Sequence, residues 1–122
     1  VNKIFAKGDS KIGHDLKNEI LLYSSKNSKN LIDINLDINK KKEVKERTVS
    51  KKITKYSIIL TVSLDLENTI DGKRINQTFS KVVDFDATKN RSDTISNEKK
   101  TIENITQLIG EEIINFLIIY YR

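Results

Sequence analysis

Apolar positions along this chain recur with two periods, and the switches between them mark out its elements. Ile4 to Ala6 is a short apolar stretch that reads as a brief first strand. In "GDSKIGHDLKNEILLYSS" the spacing lengthens: Ile12, Leu16, Ile20 and Tyr23 recur at steps of four, four and three, one stripe on an α-helix. Asp9 or Ser10 stands where such a helix is capped. A polar loop, "SSKNSKN", follows, and then "LIDINLDIN" alternates strictly, with Ile32, Ile34, Leu36 and Ile38 on one side and Asp33, Asn35 and Asp37 on the other.

Beyond a basic stretch the alternation returns in "KYSIILTVSLDLE", where Tyr56, Ile58, Leu60, Val62, Leu64 and Leu66 share a side. Asp71-Gly72 is a hairpin turn signal. "INQTFSKVVDF" carries Ile75, Phe79, Val83 and Phe85 in phase, with Lys81 in the same phase, which asks for either a bulge or an edge position. A loop, "DATKNRSDTIS", leads to a long helix from about Ser96 to Tyr121, whose stripe is Ile102, Ile105, Ile109, Ile113, Phe116 and Tyr120. The order is β-α-β-β-β-α. Two helical stripes need an apolar surface, and the strands supply one. The expected fold is therefore α+β, a two-layer sandwich with both helices packed on one face of a four-stranded sheet, in a single domain over residues 1–122.

The opposite face would carry Asp33, Asn35, Asp37, Ser57, Thr61, Ser63, Asp65, Asn76, Thr78, Ser80 and Asp84. Such a surface suits the wetted side of an open antiparallel sheet, and equally a polar, water-filled wall. Eight of the nine residues from 113 to 121 are apolar, more than a stripe requires, so either the first helix or another protein covers their second side. No apolar run approaches the roughly 20 residues that a membrane-spanning helix needs.

Charge sharpens the picture. Residues 40–52, "KKKEVKERTVSKK", hold seven of the chain's 22 Lys and Arg and two of its 17 Asp and Glu. That segment carries the whole net charge of +5, so the remaining residues are neutral together. With few apolar positions of its own, it is expected to be the most mobile part of the protein, as a loop or a long hairpin. A basic segment on a neutral body points to an acidic partner: nucleic acid, a membrane surface or a phosphorylated lipid. Cys, Met, Pro and Trp are all absent. Thiolate metal sites and disulfides are thereby excluded. A chain without Met is also expected to have lost an N-terminal segment.

Catalytic motifs do not emerge. His14, the one histidine, sits beside the stripe of the first helix with no motif around it. "GDSKIG" has the glycine spacing of a phosphate loop, but His14 and Asp15 stand where Lys and Ser or Thr are required. "DFDATKN" opens like a calcium loop, yet Lys89 replaces its glycine and Ile95 its closing glutamate. Neither an enzyme, nor a metal site, nor a cofactor is expected.

"SKIGHDLKNEI", "KYSIILTVSLDLEN" with its Asp71-Gly72 turn, the strand ending in "DFDATKN" and the closing helix "EKKTIENITQLIGEEIINFL" together resemble the LPS-assembly lipoproteins. The likeness covers essentially the whole chain, and the order and spacing of the pieces carry it. It implies a non-enzymatic protein anchored by a lipidated cysteine on the periplasmic side of the outer membrane. That cysteine and a signal peptide would precede Val1. The resemblance further implies that the domain binds lipopolysaccharide and plugs an outer-membrane β-barrel, the LPS-assembly translocon. By position, the basic residues facing the lipid headgroup would be Arg47, Lys51 and Lys52 before the tyrosine strand, and Lys89 and Arg91 before the last helix. Thr61, Ser63, Thr78 and Ser80, small and polar, would meet the barrel, whose lumen is wet.

Two other readings remain open: a basic nucleic-acid-binding domain, and a periplasmic auxiliary lipoprotein of a transporter. Against nucleic acid, no aromatic residue lies within residues 40–52, and Asp33, Asp37, Asp65 and Asp84 would repel a phosphate backbone.

Overall fold

The computed structural model describes residues 3–24 and 32–120. Its elements are β1 (Lys3–Gly8), α1 (Ser10–Ser24), β2 (Ile32–Arg47), β3 (Ile53–Asn68), β4 (Arg74–Asp86) and α2 (Arg91–Tyr120). The expected order β-α-β-β-β-α holds, and the polar loop read over residues 24–30 lies, from residue 25 on, outside the described residues. The strands form one sheet in the order β1-β2-β3-β4. β1 runs parallel to β2, and the other two pairs are antiparallel.

The alternating sequences bury one face. Ile34, Leu36, Ile38, Leu60, Val62, Leu64, Leu66 and Phe79 meet Ile12, Leu16 and Ile20 of α1 and Ile105, Ile109, Ile113 and Leu117 of α2 in one core. Both helices cover the same face, and the other is open. Lys81 lies on that helix-facing side of β4 without any break in the β3–β4 register, because β4 is an edge strand and α2 brings Glu112 to it at 2.7 Å. The edge, not a bulge, accounts for this lysine.

Chain direction explains what sits at each end. α1 turns back from β1, and α2 turns back from β4, which is parallel to β1; the helices are therefore parallel to each other. The reversal after β1 occurs at Gly8, with φ of 105°. A side chain there would overlap the carbonyl oxygen of Ile38. Asp9 then caps α1, its Oδ1 accepting the Ile12 N–H at 3.0 Å. Asn90 does the same for α2 through the Ser92 N–H at 2.9 Å. Both helix N-termini thus lie at the end of the sheet that carries the β2–β3 turn. The β3–β4 turn, at the other end, follows the Asp71-Gly72 signal, with Gly72 at φ 72° and the Asn68 N–H donating to the Lys73 carbonyl.

Three boundaries differ from expectation. β1 extends on both sides of Ile4–Ala6. α2 begins at Arg91 rather than near Ser96, because the Asn90 cap precedes a first turn without an apolar stripe. The third is the end of β2, read at Asn39: of the loop or long hairpin expected for the basic segment the hairpin forms, and residues 40–47 are the second half of β2, paired with β3 from Lys40↔Leu60 to Arg47↔Ile53. β3 alternates over its full length and needs an equally long partner. Only the turn between Arg47 and Ile53 is left outside the strands. At the tip of α2, Leu117 is buried against the core while Ile118, Ile119 and Tyr120 remain exposed.

Candidate functional site

The basic hairpin divides into residues that hold the fold and residues that do not. On the helix-facing side, Lys40 reaches Asp9 at 3.2 Å. The ammonium of Lys42 meets the Glu98 carboxylate and lies 4.4 Å from the centre of the Tyr56 ring, itself stacked on Phe85. Their long stems lie along the sheet and the helices hold their charged heads. The pair with Lys40, together with the cap to Ile12, holds the Asp9 carboxyl below its ordinary range, the backbone hydrogen bond being the larger cause. On the opposite side Lys41 pairs with Glu43 at 3.0 Å.

The remaining bases gather at the hairpin end. Arg47, Lys51 and Lys52 are exposed, and Arg47 Nη1 donates to the Lys51 carbonyl at 3.3 Å. The turn is closed by the Thr48 N–H donating to the Lys52 carbonyl and the Lys51 N–H to the Thr48 carbonyl. Lys51 takes φ of 66°, a left-handed conformation that costs a non-glycine residue about 1–2 kcal/mol. The loop after β4 is tied to the same end, since the Ala87 N–H donates to the Thr54 carbonyl just beyond the hairpin turn. Lys89 lies in that loop and Arg91 opens α2, both exposed. None of these five bases has an acidic partner within ion-pair reach among the described residues. Two sets at least 37 residues apart in sequence, counted from Lys52 to Lys89, are therefore brought to one end of the molecule. The positive N-terminal end of the long α2 dipole points the same way. Lys45, at the irregularity between Val44 and Glu46, is a further exposed base without an acidic partner among the described residues. Sequence position alone gave no reason to separate it from its paired neighbours.

On the open face the register aligns the polar residues in rows. Thr61 pairs with Ser80, their hydroxyls 3.3 Å apart, and Ser63 pairs with Thr78. The four small residues proposed for a partner thus form one contiguous block. Ser57 shares the face but not the water: it is buried, and its hydroxyl donates to Asp84 Oδ1 on the neighbouring strand. Ile59 and Val82, directly paired, add an apolar row that the polar reading of this face missed, and Val82 is exposed.

Among the described residues, no three His, Asp or Glu side chains come together as a metal site. His14 is exposed and contacts Asn18 at 3.1 Å. None of the described helices is long and apolar enough to cross a membrane.

No family model matches the sequence, and no curated protein matches it. Solved structures do match the fold. The rare lipoprotein B of Shewanella oneidensis superposes with a TM-score of 0.69 at 8% identity, over 98% of this chain and 96% of that one. A lipoprotein of Caulobacter crescentus gives 0.70 at 11%, over 98% and 90%. Lipoprotein B of Nitrosomonas europaea gives 0.66 at 12%, over 93% and 79%. At such identities the likeness is one of fold, and it spans nearly the whole chain.

Proposed function

We propose that this chain is the folded domain of a non-enzymatic outer-membrane lipoprotein, lipid-anchored on the periplasmic side, that binds lipopolysaccharide and supports the β-barrel through which it is assembled. One observation carries the reading: Arg47, Lys51 and Lys52 share one end of the molecule with Lys89 and Arg91, and none has an acid to neutralise it among the described residues. Such a cluster suits a ligand with several phosphates, and Arg47 and Arg91 supply the bidentate geometry that phosphate favours. The shared fold with three proteins described as lipoproteins supports the class and the anchor. The open polar sheet face supports a barrel partner, whose lumen is polar as well.

Lipid binding is tested by reversing charge at Arg47, Lys51 and Lys52 together. Hydrogen bonds to charged groups are worth about 1.5–3 kcal/mol each, so the triple variant is expected to bind lipopolysaccharide at least about tenfold more weakly. Wild-type binding is expected to weaken with salt and to require the lipid phosphates. A folded triple variant with unaltered binding would remove the hairpin from the site. Equal competition by duplex DNA at physiological salt would favour a nucleic-acid ligand instead.

A further inference from the structure

The open sheet face carries a second feature, away from the basic end. The register places Phe5, Asn35, Asp65 and Asn76 in one straight row across all four strands. Lys7, Asp37, Ser63 and Thr78 form the next. Strands lie about 4.8 Å apart, so each row is about 14 Å long. A groove of about 450 Å³ opens here, lined by Phe5, Lys7, Asn35, Asp37, Asp65 and Asn76, with Ser63 and the Ala6 and Leu36 positions also contributing. Phe5 is 60% exposed at its outer wall.

The chemistry of this groove is specific. An aromatic ring offers a flat apolar face, and here it stands beside carboxamides and carboxylates rather than in an apolar patch. Asn35, Asp37, Ser63 and Asn76 make no side-chain hydrogen bond among the described residues, so their donors and acceptors are turned to the groove without internal competition. Carboxamides both donate and accept, and carboxylates accept from two hydroxyls at once. Two carboxylates line the groove against one ammonium, and the guanidinium nearest Asp65, Arg74, is already paired with Glu67, so a phosphate is disfavoured. The ligand that matches is flat and apolar on one side, ringed by hydroxyls and uncharged.

The geometry points to a binding site for a neutral saccharide, with one pyranose ring stacked on Phe5 and its hydroxyls shared among Asn35, Asp37, Asp65 and Asn76. The length of the row accommodates two rings in line. The site lies mainly on the β1–β2 half of the face, shares Ser63 with the block of Thr61, Ser63, Thr78 and Ser80, and is distant from the hairpin bases in sequence and along the strands. It extends the proposed function to the sugar part of a glycolipid but does not depend on it, since the groove would take a neutral glycan of any origin.

Two soluble probes separate the sources: a neutral hexose oligosaccharide from the outer core of lipopolysaccharide, free of lipid, phosphate and acidic sugar, and chitohexaose as a model of a cell-wall glycan. The expected result with at least one is saturable perturbation of the amide resonances of Phe5, Asn35, Asp65 and Asn76, insensitive to salt. Phe5→Ala removes the flat apolar face on which the sugar stacks, so it should weaken binding by up to about tenfold. Phe5→Trp should preserve or strengthen it, and the hairpin triple reversal should leave it unchanged. A response to the core oligosaccharide alone assigns the site to lipopolysaccharide; a response to chitohexaose alone assigns it to cell-wall glycan. Failure of both probes overturns the site, as does binding that Phe5→Ala leaves intact or that the hairpin reversal abolishes. Loss of headgroup binding in the triple variant with sugar binding retained would leave both proposals standing, and each can fail without the other.

Discussion

Glu19 and Gly110 show how much of the packing is decided by single atoms. Residue 110 has no side chain where α1 faces α2, and a methyl group there would displace the Glu19 carboxylate, the flexible end of its side chain. That carboxylate is half-buried, and burial, followed by repulsion from Glu111, raises its pKa above the ordinary 4.5. A carboxyl with a raised folded-state pKa binds its proton more tightly in the folded protein than in the unfolded chain. Folding stability from this group is therefore present below the ordinary pKa and is lost as pH rises through the folded-state value. Glu19→Gln, which keeps the shape and removes the charge, is expected to be more stable than wild type at pH 7. The advantage should shrink as the pH falls from the folded-state pKa toward the ordinary 4.5 and be nearly gone below it, where wild-type Glu19 is neutral in both states. Urea midpoints at pH 7 and pH 4 check this, and an equal gap at both would show that charge is not the cause. Nothing in the sequence announced the pair. A glycine in a helical stripe reads as a weak point of about 1 kcal/mol, and its use as a contact surface becomes visible only when the second helix is in place.

The same gap between pattern and packing operates on whole elements. Strong two- and four-residue periodicity made β3, β4 and both helices readable, because each buries a stripe. The outer half of β2 buries almost nothing, so hydrophobic pattern could not reveal it. What fixes it is the length of β3 opposite and the lysine heads held by Asp9 and Glu98. Five lysines and arginines on residues 40–47 also blunt the stretch of β2 that β1 leaves unpaired beyond Ile38, as charged residues do on exposed sheet edges. The turn stores strain at Lys51, one of the bases expected to face the headgroup. Glycine would relieve that conformation, so Lys51→Gly is expected to raise stability by about 1 kcal/mol while weakening lipopolysaccharide binding. Thermal unfolding beside lipid titration measures both. A variant that loses stability would show that the lysine side chain contributes to the turn more than its backbone costs it.

At the scale of the whole molecule, the two-layer plan follows from the chain's alternation, since helices on one face leave a polar sheet on the other. Thr61, Ser63, Thr78 and Ser80 could be picked out of that polar face by size, but that they adjoin was not legible, because neighbours across strands depend on register. The register places Thr61 opposite Ser80 and Ser63 opposite Thr78, a patch of small side chains over which a wall could approach closely. A plug must bury a large surface, commonly over about 2,000 Å² for obligate partners, and bulk at the centre of the patch would prevent it. Arg at both Ser63 and Thr78 would set like charges directly opposite, which is destabilising in itself. Thr61→Arg with Thr78→Arg is the cleaner choice, because these positions are diagonal. Neither residue belongs to the core, Thr78 being exposed and Thr61 half-buried on the open face, and substitutions at surface positions usually change stability by no more than about 0.5 kcal/mol. The double variant is therefore expected to unfold near the wild-type temperature, to keep its lipopolysaccharide binding, and to lose co-purification with the β-barrel. Normal co-purification of a stable variant would move the barrel contact elsewhere, and the exposed Ile118, Ile119 and Tyr120 at the end of α2 are the next surface to change.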